Sequence, residues 1–220
     1  MKVLGISASP RGLKSQTARL VKTVLDGAES KGCDVEFIDL CGLNLEYCNA
    51  CQVCYKTGKC PKKDDFQSIY NKVLSADGLV MGSPDYFRTV TAQMKTLIDR
   101  MADAVHCQLF NGKYTVNVAT SGGARHDREV TRYLNGIMLN FGSYVTGSAG
   151  ASVQLGPAAM EAAVKKAFRL GQKLVGDILA RRVYPRQQRI HKETGEYFRQ
   201  LVERNKAEWA HEHDFWTGRQ

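Results

Sequence analysis

The stretch KVLGISASPRGLKSQT, residues 2–17, decides the fold class of this 220-residue chain. Residues 2–7 form a short apolar run with the composition of a buried strand, and a polar loop follows directly. From about Ser15 to Lys31, apolar residues recur at helical spacing. A strand, a polar loop and a helix N-terminus predict the first unit of an α/β protein, whose loop can present backbone N–H groups to a phosphate.

The loop after this strand is rich in hydroxyl groups and matches neither of the glycine-rich phosphate-binding motifs. The hydroxyls of Ser9, Ser15 and Thr17, with the charge of Arg11 or Lys14, suit a monophosphate held by side chains. An ordinary βα turn with a serine cap explains the same residues. The stretch alone leaves both interpretations open.

The rest of the chain alternates strands with helices. Further strands are predicted at 33–40, 78–82, 114–119 and 143–148. Helices are predicted at 66–74, 94–101, 127–141 and 158–181. This alternation predicts a doubly wound parallel sheet of five strands, in which a ligand binds outside the carboxyl ends of the strands.

Three loops share that edge of the predicted sheet, at residues 9–17, 83–89 and 120–126. In the second loop, Tyr86 and Phe87 can flank a flat ring, although core packing would explain this pair taken alone. In the third loop, Gly122 and Gly123 allow close approach of the backbone. Together the three loops indicate a flavin mononucleotide (FMN) site.

Four of the seven cysteines, at Cys48, Cys51, Cys54 and Cys60, have the spacing C-x2-C-x2-C-x5-C. Two residues between thiols allow a tight turn to direct them at one soft metal centre, and the spacing is close to that of bacterial ferredoxins. A [4Fe-4S] cluster is the favoured interpretation; a zinc site, a disulfide pair or unmetallated thiols remain as alternatives. The connection, residues 41–64, is long enough to be a functional insertion.

Composition sets the remaining limits. The net charge is +9, but the cations are dispersed and no nucleic-acid motif is present, so we expect no nucleic-acid partner. No apolar run suits a signal peptide or a membrane span, and the expected location is cytoplasmic, without membrane association. We expect one domain at 1–182 and a helical arm at 183–220 that packs on the domain or on a neighbouring subunit. Within the arm, the run His211 to Asp214 resembles a metal site, but we expect a solvated helix end.

These residues resemble a known family. The segments 5–11, 15–17 and 82–87 are similar to the flavodoxin-like NADPH-dependent FMN reductase superfamily, and the four cysteines sharpen the resemblance to its iron-sulfur flavoproteins. The resemblance implies a strand order 2-1-3-4-5, FMN, a [4Fe-4S] cluster and a homodimer or homotetramer. The implied flavin-binding residues are Ser9, Arg11, Ser15, Gln16, Thr17, Pro84, Asp85, Tyr86, Phe87, Ser121, Gly122 and Gly123, and the implied metal ligands are Cys48, Cys51, Cys54 and Cys60. Arg88 and Thr89 replace the usual Gly-Asn, which places a cation near the expected flavin, and residues around His126 replace the usual Gly-Gly-Gln.

The resemblance implies an oxidoreductase that passes electrons between a donor such as ferredoxin and an acceptor through cluster and flavin. The basic charge would suit an acidic donor protein. The first alternative is an NAD(P)H-dependent reductase of flavin, quinone or another small molecule, in which the cysteines are not the main electron route. Others are a pathway-specific dehydrogenase that binds an anionic substrate through Arg88, Arg125 or His126, and a redox-sensing protein with reactive thiols.

Overall fold

A parallel sheet organises the computed structural model, which describes residues 1–218; residues 219 and 220 of the predicted arm lie outside the described residues. The strands are β1 (Lys2–Ser7), β2 (Asp34–Asp39), β3 (Gly78–Pro84), β4 (Tyr114–Ser121) and β5 (Tyr144–Ser152). Their order is β2-β1-β3-β4-β5, and each neighbouring pair is parallel. This confirms the doubly wound, flavodoxin-like architecture predicted from the sequence.

Helices cover both faces of the sheet. They are α1 (Gln16–Glu29), α2 (Val53–Thr57), α3 (Phe66–Ser75), α4 (Ala92–Arg100), α5 (Ala102–His106), α6 (His126–Asn140), α7 (Pro157–Leu179), α8 (Pro185–Arg204) and α9 (Ala210–Thr217). Successive side chains of a strand point to opposite faces, so Val3 packs in the apolar cluster with α1 and α7, whereas Leu4 packs with α3, α4 and α6. All residues of β4 are buried, as expected for a central strand covered on both sides.

Helices α1 and α7 approach each other through two glycines. A Cβ atom at Gly27 would lie 2.1 Å from the carbonyl oxygen of Phe168, and one at Gly171 would lie 2.0 Å from that of Val24. Any larger residue at either position would collide with backbone. This close packing fixes α1 against the sheet and thereby fixes the position of its N-terminus.

The strands that carry the predicted site are longer than the sequence suggests. β3 extends to Pro84 and β4 to Ser121, where the expected ends were at residues 82 and 119. The polar residues at these ends have the composition of a loop, yet they continue the ladder, with Pro84 opposite Thr120 and Ser121 opposite Ser152. Parts of the predicted loops therefore belong to the sheet, which positions them more rigidly than a loop would.

The C-terminal arm is helical, as predicted. Helix α8 packs on α5, α6 and β5, and α9 packs on α2 and α8, so the arm lies on its own chain. Among the described helices, none is both long and apolar enough to cross a membrane.

Candidate functional site

A cavity of about 310 Å³ lies at the carboxyl edge of the sheet, where the loops after β1, β3 and β4 meet. The lining residues are Ser9, Arg11, Ser15, Gln16, Thr17, Pro84, Asp85, Tyr86, Thr120, Ser121, Gly122 and Val153. Ten of the twelve residues predicted to bind a flavin are in this lining. The structure thus joins three distant segments of sequence in one site.

The loop after β1 is organised by its own hydroxyl groups. Ser15 is the N-cap of α1, where its Oγ accepts a hydrogen bond from the backbone N–H of Ala18 at 3.0 Å. The predicted serine cap is therefore present. It leaves the N-terminus of a 14-residue helix at the cavity, with the positive end of the helix dipole beside the hydroxyls.

One buried hydrogen bond ties this loop to β4. The Oγ atoms of Thr17 and Thr120 lie 2.6 Å apart, and both side chains are buried. Thr120 lies in the predicted loop 120–126 but is not one of the named site residues, because the prediction assigns the contact of that loop to Ser121 and the glycines. Val153, which follows β5, was also missed, because β5 ends at Ser152, four residues beyond the predicted strand end at residue 148.

The loop after β3 makes a tight hairpin. Tyr86 and Thr89 exchange backbone hydrogen bonds of 3.0 and 3.1 Å, and the two residues between them, Phe87 and Arg88, both have positive φ (52° and 66°). Two consecutive left-handed residues are the arrangement of a type I′ turn, which favours Asn and Gly. Phenylalanine and arginine in these positions indicate backbone strain of the kind often found at functional sites.

The aromatic pair of this hairpin is not core packing. The side chain of Phe87 is 98% exposed and that of Tyr86 is 47% exposed. Tyr86 lines the cavity, whereas Phe87 projects beside it and is outside the lining. The alternative in which both rings fill the core is therefore wrong.

The loop after β4 is pinned at Gly123. Its carbonyl oxygen accepts hydrogen bonds from the hydroxyls of Ser121 at 2.8 Å and Ser152 at 2.7 Å. Gly123 itself is outside the cavity lining, because its Cα faces the ring of His126, and a Cβ there would lie 2.8 Å from that ring. Gly123 thus shapes the loop, while the neighbouring Gly122 lines the cavity.

Charged groups stand at the rim of the cavity. The ring of His126 lies 3.3 Å from the Asp85 carboxylate, and Arg88 lies 3.9 Å from Glu129. Arg88, the cation expected near the flavin, is outside the cavity lining and points towards Glu129 of α6. These contacts join the loop after β3 to the first turns of α6.

The cysteine segment leaves the same edge of the sheet after β2. Cys48 and Cys51 are exposed, Cys54 and Cys60 are half-buried, and all four thiols are free. Within residues 1–218, no three His, Cys, Asp or Glu side chains lie close enough together to hold a metal ion. The disulfide alternative is therefore absent from this structure, but the four predicted ligands do not converge in it either.

A buried ion pair closes the base of the segment. Arg100 at the end of α4 pairs with Asp64, and the two side chains are 1% and 0% exposed. Arg100 also donates to the carbonyl oxygen of Glu46 at 3.1 Å and lies 3.1 Å from the Sγ atom of Cys60. Asp64 accepts from the backbone N–H of Glu46 at 2.8 Å, so both ends of the cysteine segment are joined.

The surroundings of Cys54 disfavour negative charge on its thiol. Burial, and then the carboxylates of Asp103 and Glu212, raise the pKa of Cys54 to about 12. Burial likewise raises the pKa of Asp103 to about 6. In the metal-free chain Cys54 is a neutral thiol at pH 7, and any metal that it ligates must displace its proton.

The arm braces the cysteine segment through a residue that the sequence analysis missed. The His106 ring stacks on Trp209 at 5.0 Å and contacts Tyr55 of α2 at 4.9 Å. Its Nδ1 lies 2.9 Å from a carboxylate oxygen of Glu212, which is fully buried. The expectation of a solvated helix end at residues 211–214 is therefore wrong for Glu212, because the partner that buries it, His106, lies more than a hundred residues away in sequence.

Comparisons with known proteins agree with this geometry. Residues 1–157 match the model of the NADPH-dependent FMN reductase family. An iron-sulfur flavoprotein of Archaeoglobus fulgidus is 33% identical over 79% of this chain and 79% of its own length. An iron-sulfur flavoprotein of Methanocaldococcus jannaschii is 41% identical over 56% of this chain and 65% of its own length, slightly under two thirds of that relative.

A solved structure supports the fold. The NAD(P)H:quinone oxidoreductase from Methanothermobacter marburgensis superposes with a TM-score of 0.64, at 21% identity, over 79% of this chain and 96% of its own. These matches agree with the observed strand order and with the position of the cavity at the strand ends. The chain belongs to the NADPH-dependent FMN reductase family, within its iron-sulfur flavoprotein group, and it is a flavin-dependent oxidoreductase.

Proposed function

We propose that this chain binds FMN in the cavity at the strand ends, holds a [4Fe-4S] cluster on Cys48, Cys51, Cys54 and Cys60, and passes electrons between a donor such as ferredoxin and an acceptor. The observation that carries the flavin part is the single cavity that ten of the twelve predicted residues line. When bound, FMN would supply the capacity to hold one or two electrons.

The chemistry of the cavity suits the two ends of FMN. At one end, the N-terminus of α1 and the side chains of Ser9 and Thr17 provide donors and positive potential for the phosphate. The buried hydroxyl of Ser7, directly before this loop, has no hydrogen-bond partner among the described residues. At the other end, Tyr86 and Phe87 offer exposed aromatic surface to a flat ring.

The cluster part rests on the chemistry of the donors and on the names of the relatives. Four free thiols within thirteen residues are a donor set for a soft metal centre. Because no three of these thiols lie close enough together to share a metal ion among the described residues, cluster assembly requires the segment between Glu46 and Asp64 to move its thiols inwards. The ends of the segment, Glu46 and Asp64, are held together and by Arg100, which limits that movement to the residues between them.

The proposed redox partners are inferred from the net charge of the chain and from its family. The net charge of +9 would favour an acidic donor protein through electrostatic steering. NAD(P)H is the alternative donor, and a small organic molecule is the proposed acceptor. We also propose a homodimer or homotetramer in the cytoplasm, which light scattering at several concentrations and cell fractionation would test.

The first experiment quantifies flavin, iron and sulfide per chain after anoxic preparation, together with the visible spectrum. We expect one FMN with about four iron and four sulfide per chain. Cys51→Ser should lose the iron and retain FMN, whereas the control Cys41→Ser, outside the four-cysteine motif, should retain both. Flavin without iron or sulfide in the wild type would reject the cluster and leave the flavin site standing.

The second experiment tests the donor. Reduced ferredoxin should reduce the bound FMN at low salt, and the rate should fall as ionic strength rises. Absence of transfer in a protein with an intact cluster would reject ferredoxin as donor.

The alternative function is an NAD(P)H-dependent reductase of quinones or other small molecules. It is favoured by the resemblance of the cavity-bearing core to a quinone oxidoreductase and by the family match. Steady-state turnover with NADPH that is undiminished in Cys51→Ser would select this function over the first.

A further inference from the structure

A histidine and an aspartate form a pair at the rim of the cavity. Asp85, which lines the cavity, lies with Oδ2 at 3.3 Å from Nδ1 of His126, the first residue of α6. Asp85 is one of the predicted flavin-binding residues and His126 a predicted contact of an anionic substrate, and no sequence pattern connects the two. Their contact is created by the adjacency of β3 and β4 in the sheet.

Asp85 is held in one orientation. Its backbone N–H donates to the carbonyl oxygen of Thr120 at 2.7 Å, which extends the ladder between β3 and β4. Its Oδ1 accepts the backbone N–H of Arg88 at 2.8 Å within the strained hairpin. With Oδ1 occupied, Oδ2 is the atom left to face the imidazole.

The position of His126 depends on a glycine. The Cα of Gly123 faces the ring so closely that a Cβ would lie 2.8 Å from it. The His126 side chain is 31% exposed, whereas that of Asp85 is 11% exposed. The imidazole therefore has a carboxylate oxygen 3.3 Å from Nδ1 and access to water, which suits a group that takes protons from solvent and passes them on.

We propose that His126, oriented by Asp85, supplies a proton to an acceptor that takes up protons together with electrons, such as a quinone or conjugated carbonyl compound. This inference rests on the proposed flavin site and narrows its substrate class. The Asp85 carboxylate selects the tautomer with a proton on Nδ1, which leaves Nε2 to exchange protons with the acceptor.

Electrons and protons balance in this step when FMN occupies the cavity. When bound and reduced, FMN supplies two electrons and one proton as a hydride equivalent. The second proton leaves Nε2 of the protonated imidazole for the oxygen of the quinone, which becomes a hydroquinone. The imidazole remains neutral with Nδ1–H towards Asp85, and solvent restores the proton on Nε2.

Pre-reduced, FMN-loaded protein and two acceptors test the proposal in anaerobic single turnovers. Menadione, a quinone, takes up protons, whereas ferricyanide accepts one electron and no proton. His126→Gln should slow menadione reduction by about 100-fold and leave ferricyanide reduction within about 2-fold. His213→Gln, at a half-buried histidine paired with Glu203 in the arm, is the matched control and should change neither rate.

A second readout uses the FMN-free protein. Ring ¹⁵N chemical shifts at high pH should show the Nδ1–H tautomer of His126 in the wild type and the Nε2–H tautomer in Asp85→Asn. Asp85→Asn should also slow menadione reduction selectively. Equal slowing of both acceptors, unchanged menadione reduction in His126→Gln, or the Nε2–H tautomer in the wild type would each overturn the proposal.

Failure of the flavin site itself would look different. In that case the wild-type protein would not quench FMN fluorescence on titration. A wild type that binds FMN and reduces both acceptors, with His126→Gln unaffected, rejects the proton donor alone.

Discussion

The buried Arg100–Asp64 pair gives the sharpest stability prediction. Replacing Arg100 with methionine keeps most of the side-chain volume and removes the guanidinium, leaving the Asp64 carboxylate with the backbone N–H groups of Glu46 and Phe66 as its hydrogen-bond donors. Removing one partner of a buried pair costs about 3–5 kcal/mol, because the remaining charge is uncompensated. A typical domain has only about 5–15 kcal/mol of stability, so Arg100→Met should unfold at much lower denaturant.

Urea denaturation of FMN-free protein measures this loss, and helix α4 provides an internal control. Lys95 and Asp99 form an exposed pair on the same helix, at 50% and 43% exposure, so Lys95→Met should cost at most about 0.5 kcal/mol. The double variant Arg100→Met with Asp64→Leu should recover part of the loss, because it removes both charges. A cost of 0.5 kcal/mol or less for Arg100→Met would refute the assignment of a buried, coupled pair.

The Arg100–Asp64 pair also predicts that the protein loses stability at acidic pH. Burial raises the pKa of Asp64, but the hydrogen bonds from Arg100 and from the backbone outweigh burial and hold it below the usual value. The unfolded state then binds a proton more readily than the folded state as pH falls through about 4. Stability from Asp64 is therefore present above that range and lost below it, and the loss should be smaller in Arg100→Met.

Three further variants probe other contacts. In the wild type, the folded-state pKa of Asp103, raised to about 6, makes ionisation unfavourable in the folded protein, so the free energy of unfolding should fall by about 3 kcal/mol between about pH 4 and pH 6. Asp103→Asn should abolish this fall in urea titrations. Glu212→Leu should cost about 2–3 kcal/mol by leaving His106 without its buried partner, and it should expose the arm to limited proteolysis. Thr17→Val should lower the free energy of unfolding by about 1–3 kcal/mol, because Thr120 keeps a buried hydroxyl without its partner. It should also weaken FMN binding in fluorescence titrations. Unchanged FMN affinity would contradict a role for this contact in shaping the site.

The cysteine segment shows what cysteine spacing predicts and what it does not. C-x2-C-x2-C-x5-C identifies a donor set, since thiols two residues apart can share one turn. Spacing does not determine whether those thiols meet, because that depends on left-handed residues such as Ala50 and Gln52 and on contacts from outside the segment. Arg100 and His106, which brace the segment, carry no motif and are recognisable only once α4, α5 and the arm are packed around it.

The sequence by itself determined the architecture and the chemistry of the edge loops. Alternating apolar strands and amphipathic helices admit few folds, and the hydroxyl, aromatic and glycine residues follow directly on strands, so their common edge is a consequence of parallel connections. The tertiary structure decided which of these residues share a cavity, how far the strands extend and which charges are paired. Pairs such as Thr17 with Thr120 and Asp85 with His126 arise between segments far apart in the chain or on different elements, and the energies of such contacts depend on burial and distance, which no local pattern encodes.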